Sequence, residues 1–376
     1  MNVKEVAFAD TLPERWDEWS RGLDDATYFH CRHWLAFSAG FSRVLEHLSF
    51  ALLGDRDEPL ALCPLAVSEG VDGEREISFS GMPVAVPAAA RVAPSARRKL
   101  LDAAYSRIAA AADKYGAQTL LFGGDPLTVA RCRGDALSDA ASFEPLRYGL
   151  HYHVLPTQVI DLAPSEEELV AAMSKYQRRH VRKARAAGLR FMVFSAEHNR
   201  EGFGEHFRLL QEAHRKAAGG ATRPQCTWDA MRRMGEDGQA SLFVVSADGV
   251  PASFLFCGEF SAMAFGWSQV NDKERESRGA LRHLLEWEAI VHYKRRGFRF
   301  YELGARFYGP QLFYAPSPKE ITISEFKERY GALQLPKVSW FGYRDQAVME
   351  KTLTEKTRTL LKARPLFRLP GEEENG

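Results

Sequence analysis

Apolar positions in this chain follow two rhythms, and both recur. Over residues 97–126 they stand at Leu100, Leu101, Ala104, Ile108, Ala111 and Ala112, the spacing of an amphipathic helix. Gly116 fits the position just past that helix, and Thr119–Phe122 reads as a short apolar strand ended by Gly123-Gly124-Asp125-Pro126. Residues 279–310 repeat the plan. Leu281, Leu284, Leu285, Ile290 and Val291 make the helical face, Lys294, Arg295 and Arg296 suit the negative helix end, and Gly297 closes it. Phe298–Leu303 then alternates as a strand. A second echo pairs residues 50–67 with 242–257, each read as two strands around a polar turn, with Asp248-Gly249 a hairpin signature. The two echoes keep their order at offsets of about 180–190 residues. They predict an internally duplicated α/β unit of hairpin, helix and strand.

Other elements connect the units. Val154–Leu162 is a predicted strand. Ser165 is a predicted N-cap, followed by Glu166, Glu167 and Glu168 in the first turn of one helix that runs to about Ala187 and stops at Gly188. Asp345–Lys362 reads as an amphipathic helix. The expected organisation is a first domain over 1–157, a second over 158–344, and a C-terminal helix and tail over 345–376.

Composition narrows the class. The chain has 376 residues, is 45% hydrophobic and 11% aromatic, and carries 50 Lys+Arg against 49 Asp+Glu. It is too apolar for disorder, has no apolar run long enough to span a bilayer, and lacks an apolar leader at Met1–Asp10, so a cytoplasmic protein without a transmembrane segment is expected. Cys31, Cys63, Cys132, Cys226 and Cys257 are odd in number and show no C-x-x-C pair, which argues for reduced thiols. The eleven histidines show no H-x-x-x-H or H-E-x-x-H spacing, so no metal is expected.

The net charge of +1 conceals an asymmetry. Residues 1–150 hold 16 bases and 21 acids, and residues 151–376 hold 34 and 28. No acid occurs from Leu169 to Ala196, a span with Lys175, Arg178, Arg179, Arg182, Lys183, Arg185 and Arg190. On a helix Lys175, Arg179 and Lys183 share one face, and Arg178, Arg182 and Arg185 an adjacent one. Like charges so placed repel, and a phosphate, a pyrophosphate or an RNA backbone would relieve them. The alternative is a solvated face whose acids come from elsewhere in the fold.

Met173-Ser-Lys-Tyr-Gln-Arg-Arg-His-Val-Arg-Lys-Ala-Arg-Ala-Ala-Gly188 resembles a signature of the Fem-like branch of the GNAT acyltransferase superfamily. Arg278–Gly304 resembles that branch's long helix, basic-Gly turn and Y-[DE]-L-G strand, and Phe326-Lys327-Glu328-Arg329-Tyr330-Gly331 its F-K-x-x-[FY]-G motif. Trp34 in Phe29-His-Cys-Arg-His-Trp-Leu is a weaker match to an entrance motif of the first domain. The matches run in order across roughly residues 165–335. The resemblance implies an α/β (α+β) fold of two tandem GNAT-like domains, each a mixed, mostly antiparallel sheet flanked by helices. It also implies amide formation by an acyltransferase. The donor would be acyl-CoA or aminoacyl-tRNA, with no permanently bound cofactor. The acceptor would be a small-molecule or peptide amine such as an amino sugar, an amino acid or a peptidoglycan-precursor peptide. The family's phosphate loop corresponds to Arg275–Ala280, where only one small-residue position is clear. Gly279 and Ala280 at a helix N-terminus would still accept a pyrophosphate.

Candidate residues follow. Lys327 matches the family's F-K lysine and is the candidate for binding the carbonyl or oxyanion. Glu302, in an apolar strand, is the candidate base, with Tyr301 beside it as a candidate acid. Arg178, Arg179, Arg182, Lys183, Arg278 and Gly279 are candidates for the donor phosphates, and the basic helix for a tRNA contact. Trp34, Arg215, Arg223, Tyr314, Lys319 and Glu320 are candidates for the acceptor, the last three in or beside a Pro- and aromatic-rich loop expected to cover the cleft. A competing expectation is a non-catalytic polyanion- or RNA-binding protein, or an envelope-assembly protein, on the same fold.

Overall fold

The computed structural model describes residues 4–8, 12–70, 73–124, 141–276 and 280–363. The first half contributes strands β1 (Lys4–Ala7), β2 (Arg43–His47), β3 (Phe50–Leu53), β4 (Pro59–Cys63), β5 (Ala66–Glu69), β6 (Arg75–Ile77), β7 (Val84–Ala85), β8 (Ala88–Ala89) and β9 (Thr119–Gly123). Its helices are α1 (Trp16–Gly22), α2 (Arg32–Ala39) and α3 (Pro94–Tyr115). The second half contributes β10 (His151–Asp161), β11 (Arg190–Phe194), β12 (Ala240–Ala247), β13 (Val250–Phe260), β14 (Met263–Asn271), β15 (Phe300–Ala305) and β16 (Leu333–Tyr343). Besides a single turn at Lys273–Glu276, its helices are α4 (Glu166–Ala172), α5 (Lys175–Ala186), α6 (Arg200–Ala218), α7 (Gln225–Glu236), α8 (Leu281–Arg295), α9 (Pro318–Glu328) and α10 (Gln346–Ala363).

One twelve-stranded sheet crosses both halves in the order β11-β12-β13-β14-β15-β10-β16-β9-β6-β5-β2, with β7 also beside β9. Most pairs are antiparallel. The parallel ones are β14 with β15, β6 with β9, and β7 with β9. The expected duplication is visible here: strand, long helix, parallel strand occurs as β6-α3-β9 and again as β14-α8-β15. The two hairpins differ. β12 and β13 lie in the large sheet and turn at Asp248 and Gly249, both at positive φ as a tight primed turn requires. β3 and β4 pair as expected but belong to a separate four-stranded sheet, β1-β3-β4-β8. Pro64, which has no N–H for a ladder, separates β4 from β5.

The single helix expected over 165–187 is two. Ser165 and Glu168 form the expected capping box, and α4 then stops at Met173, whose backbone is extended. Ser174 caps α5 afresh by accepting from the Gln177 N–H. Arg178 donates to the Ala171 and Met173 carbonyls at 2.9 and 2.5 Å, closing the end of α4. The second cap and the arginine that fills the first helix end outweigh the continuous helical periodicity.

Three cores result. One lies between α3 and the first-half strands and includes Trp340 of β16. One lies between α8 and the second-half strands. The third joins the halves: Trp16, Tyr28 and Phe37 pack with Phe207 and Trp228 and with Phe254, Phe256 and Phe265 of the sheet. Tyr28 stacks on Phe265 at 5.3 Å and donates to Met234 Sδ at 3.1 Å. Asp17 accepts from Gln239 at 2.8 Å, and His33 meets Asp237 at 2.5 Å.

Gly258 in β13 is the position that lets Tyr28 approach so closely. A Cβ there would lie 2.5 Å from the Tyr28 ring, and Tyr28 is fully buried and cannot withdraw. Gly258→Ala should destabilise the protein by about 1–3 kcal/mol, read from the midpoint of urea unfolding. An unchanged midpoint would show that the seating of Tyr28 does not hold the halves together.

Candidate active site

Strand β15 lies where the sheet opens. It runs parallel to β14 for three pairs, Met263–Phe300, Ala264–Tyr301 and Phe265–Glu302. β14 then continues to Asn271 and β15 to Ala305 without further pairing between them. Two splayed parallel strands present unpaired backbone groups to whatever lies between them. On its other side β15 is bulged against β10: Val159 opposes Glu302, Gln158 opposes Gly304, and Leu303 is skipped. The Lys327 ammonium reaches across from α9 and donates to the Leu303 carbonyl. Its Nζ lies 3.6 Å from where a Cβ on Gly304 would stand. Lys327 therefore sits at the mouth of the splay.

Alternation along β15 divides its side chains. Tyr301 and Leu303 face the α8 core, whereas Phe300 packs toward the core that joins the halves. Tyr301 is wholly buried, and its hydroxyl donates to Glu286 at 2.6 Å. Burial pushes the Glu286 carboxyl up, and Lys327 and the Tyr301 hydroxyl only partly offset this. Tyr301 thus belongs to an internal network behind the strand, not to the cleft surface.

Glu302 is on the opposite face and is 5% exposed. Thr157 of β10 donates to its Oε1 at 2.5 Å, and Lys337 of β16 pairs with the same oxygen at 3.4 Å. The Lys337 ammonium also lies 4.9 Å over the Phe29 ring. From there an aromatic shelf continues: Phe29 to Trp34 at 5.0 Å, Trp34 to Trp267 at 4.9 Å, and Trp267 to Phe37 at 4.2 Å. The shelf ends at Arg223, 6.0 Å over Phe37 and 4.4 Å over Trp228. Arg223 donates to Ser268 Oγ at 3.3 Å, and His214 Nε2 lies 3.0 Å from the same hydroxyl. Burial lowers the Arg223 guanidinium from its usual range, and burial beside that charge brings His214 down to about 4. Among the described residues no carboxylate lies within ion-pair distance of Arg223. Three residues singled out separately in the sequence, Trp34, Arg223 and Glu302, thus line one cleft between the halves.

The aromatic loop bounds the opposite side. Phe313 stacks on Phe341 at 4.6 Å and lies 5.3 Å from His153, residues that share by alternation the face of Lys337 and Thr157. Arg306 pins the start of the loop by donating to Glu328 at 2.9 Å and to Ser324 at 3.2 Å. Tyr314 stacks on Phe307 and donates to Glu320. Glu320 in turn accepts from the Ser317 N–H at 2.8 Å in a capping box, and these bonds hold its carboxyl low. Tyr314 and Glu320 thus shape the loop, while Lys319 is exposed beside them. Arg215 is elsewhere, on a cavity of about 760 Å³ shared with Lys216, Gly219, Gly220, Asn271 and Asp272.

The basic helix is less uniform than its sequence. Arg178 turns back onto α4, and Arg185 donates to Glu288 at 2.7 Å. Arg179, Arg182 and Lys183 remain exposed. α5 lies beside α8, with Gln177 meeting His283 at 3.0 Å, so the basic face adjoins the start of α8. Arg278 and Gly279 lie outside the described residues. Thr157 and Lys337 went unnoticed in the sequence. Both sit in ordinary alternating strands, and only the register of β10 between β15 and β16 brings them to Glu302. Among the described residues there is no cluster of three or more metal-ligating side chains, and no helix is long and apolar enough to cross a membrane.

Comparison with known proteins bears on the fold. Residues 171–312 match the family described as Acetyltransferase (GNAT) domain. Among solved structures the chain is similar to FemX at a TM-score of 0.67 and 12% identity, over 92% of this chain and all of that one. It is also similar to the C-terminal domain of a putative lysylphosphatidylglycerol synthetase from Agrobacterium fabrum (TM-score 0.54, 13% identity, 93% and 95% covered). The L-PGS of Bacillus licheniformis gives a TM-score of 0.53 at 14% identity, with 94% and 98% covered. No curated protein matches in sequence.

The Glu302–Lys337 pair can be isolated energetically. Glu302→Gln and Lys337→Met, alone and combined, should give a coupling of about 1 kcal/mol in a double-mutant cycle of unfolding. The magnitude is modest because Lys337 is one-third exposed. Strict additivity would mean that the two charges do not hold each other.

Proposed function

We propose, from the match of residues 171–312 to the Acetyltransferase (GNAT) domain and the likeness of the fold to that of FemX, that the chain transfers an acyl or aminoacyl group from an activated donor to an amine acceptor, forming an amide. The observation that supports this reading best is the juxtaposition at β15. An open splay with Lys327 at its mouth lies against a cleft that holds a buried carboxylate, Glu302.

In this reading the donor's acyl chain enters between β14 and β15. Its phosphates meet the start of α8 and the exposed Arg179, Arg182 and Lys183 of α5, with Arg278 and Gly279 as further candidates. The acceptor lies on the shelf of Phe29, Trp34 and Trp267, and Arg223 binds an anionic group on it. Lys319 flanks the entrance, and Arg215, on its separate cavity, has no part in this reading. The amine nitrogen attacks the donor carbonyl carbon, and the carbonyl electron pair moves to oxygen. Lys327 has N–H groups beyond the one given to Leu303 and stabilises that oxyanion. Glu302, oriented by Thr157 and Lys337, accepts the amine proton. The tetrahedral carbon then expels thiolate or ribose oxygen, which takes up a proton, and the amide remains. Tyr301 and Glu286 position β15 from behind. Both acyl-CoA and aminoacyl-tRNA fit as donors. The likeness to a putative lysylphosphatidylglycerol synthetase keeps aminoacyl transfer in view.

Thermal unfolding with acetyl-CoA, longer acyl-CoAs and charged tRNA tests the donor class. A true donor at 100 times its Kd should stabilise the protein by about 2.7 kcal/mol. Lys327→Ala should lower kcat by about 10²–10³-fold. It should also cost about 1 kcal/mol of stability, because the Leu303 carbonyl loses its partner. Arg223→Gln should raise KM for the acceptor more than it lowers kcat. No stabilisation by any donor, together with salt-sensitive RNA binding that survives Lys327→Ala, would replace the enzyme with a polyanion-binding protein.

A further inference from the structure

Helix α2 has two working faces. Trp34 and Phe37 belong to the aromatic shelf, and the opposite face borders a separate cavity of about 360 Å³. Leu35, Ala36 and Ala39 of α2 form one wall of it, and Phe8, Leu12 and Phe79 supply the rest of the apolar lining. The ionisable lining is all basic: Arg32 and His33 of α2, His47 of β2 and Arg233 of α7. No carboxylate among the described residues lines the space. His33 is engaged with Asp237 at 2.5 Å. Arg32 is less well served. Its backbone N–H donates to Asp17 Oδ1 at 2.7 Å, but its side-chain Nε lies 3.7 Å from Asp17 Oδ2, too far for a hydrogen bond. That Nε is shut off from solvent with no acceptor. Asp17 spends its oxygens on the Arg32 N–H and on Gln239, so it balances the guanidinium at a distance without satisfying it. Among the described residues Arg233 and His47 have no carboxylate within ion-pair distance.

We propose that this cavity binds a small organic carboxylate, its anionic end on Arg32 and its aliphatic or aromatic body against Phe8, Leu12 and Phe79. Three features set that chemistry. First, an unsatisfied guanidinium calls for an acceptor, and a carboxylate matches its planar fork with two parallel hydrogen bonds. Arg233 and His47 add attraction for the same sign of charge. Second, most of the lining is apolar, so a bare anion such as phosphate would leave those walls wet, whereas a body attached to the anion would cover them. With no acid in the lining, an amine finds no partner there. Third, the volume lies near the lower end of the roughly 300–1,000 Å³ range of small-molecule pockets, which suits one ring or a short chain. The site is distinct from the cleft, because α2 stands between them: Arg32, Leu35, Ala36 and Ala39 share the side opposite to Trp34 and Phe37 at 3.6 residues per turn. The proposal goes beyond the transferase reading and does not depend on it.

Calorimetric titrations of the full chain with 3-phenylpropanoate and octanoate test this, with 3-phenylpropanamide as the neutral control and acetate as the head alone. At least one of the two acids should bind, and the tighter one identifies an aromatic or an aliphatic body. The amide should bind about tenfold or more weakly than its acid, because it cannot form the charge-assisted bonds to Arg32. Acetate should also bind more weakly than either longer acid that binds. Arg32→Gln should weaken the acid by about tenfold or more and leave the amide unchanged. Arg32 also lies beside Asp17, so two further variants guard against a loss of folding. Arg233→Gln, at an exposed position, should weaken the acids and not the amide. Ala39→Leu should fill the cavity from α2 and abolish binding of acid and amide alike, while the urea midpoint shows that the protein remains folded. Arg223→Gln should leave the affinity for the acids as it is, which places them outside the cleft. Binding of neither acid at millimolar concentration, equal binding of acid and amide, or unaltered affinity in a folded Ala39→Leu protein would overturn the site. Loss of binding in Arg223→Gln would overturn it too, by moving the acid to the shelf.

Discussion

Strand β15 is the element on which the candidate site depends. It is held on one side by only three parallel pairs and on the other by a ladder that skips one residue. The first fact opens the sheet. The second leaves the Leu303 carbonyl outside the β10 ladder, and the Lys327 ammonium satisfies it. A buried carbonyl without a partner costs free energy comparable to a lost hydrogen bond, so lysine and bulge stabilise each other. The alternation of the same strand then sends Tyr301 into the core and Glu302 into the cleft. One short strand thus sets the positions of the cation, the carboxylate and the gap between β14 and β15.

The cleft exists because the halves are interleaved and not merely adjacent. β16, late in the sequence, inserts between β10 and β9, so its residues serve both halves at once. Trp340 fills the first-half core, while Lys337, three residues earlier, faces Glu302. On the other side α2 and the short 3-10 helix at Tyr28–His30 bring Phe29 onto Trp34 and Trp34 onto Trp267. A shift of one residue in β16 would exchange Trp340 and Lys337 between faces, which would bury a charge and expose an indole. The large aromatic core therefore fixes the register that places the ion pair.

What was legible in the sequence was what is local. The α3 and α8 helices end at Gly116 and Gly297 as their spacing predicts, the Asp248-Gly249 hairpin forms, and Ser165 caps where expected. What escaped was set by pairing across long sequence distances. Thr157 and Lys337 carry no motif, and nothing in their own segments distinguishes them from other strand residues. Local reading also misassigned polar side chains that the backbone uses. Arg178 reads as part of an anion-binding face but closes the end of α4, and Glu320 reads as a ligand contact but caps α9. A charged side chain near a helix end is recruited first by the unsatisfied groups there.

The same competition explains which charges remain available. Where a carboxylate is in reach, as for Arg185 and Arg306, the cation serves the fold. Arg223 has none among the described residues, yet it is largely withdrawn from water between Phe37 and Trp228. Burying a guanidinium without a counter-charge is unfavourable, and Ser268, the Met231 sulfur and two ring faces offset only part of that cost. An anion arriving from outside would offset the remainder. The acid-free face of α5 raises the same question at the surface, where repulsion between Arg179 and Lys183 is weaker and solvent screens it. The two places differ in what a ligand must bring. At Arg223 it must be small enough to reach a largely buried charge along an aromatic shelf. At α5 it must be extended enough to touch several cations at once. In the proposed reading a compact acceptor and a long donor need one site of each kind, on opposite sides of the strand where they would react.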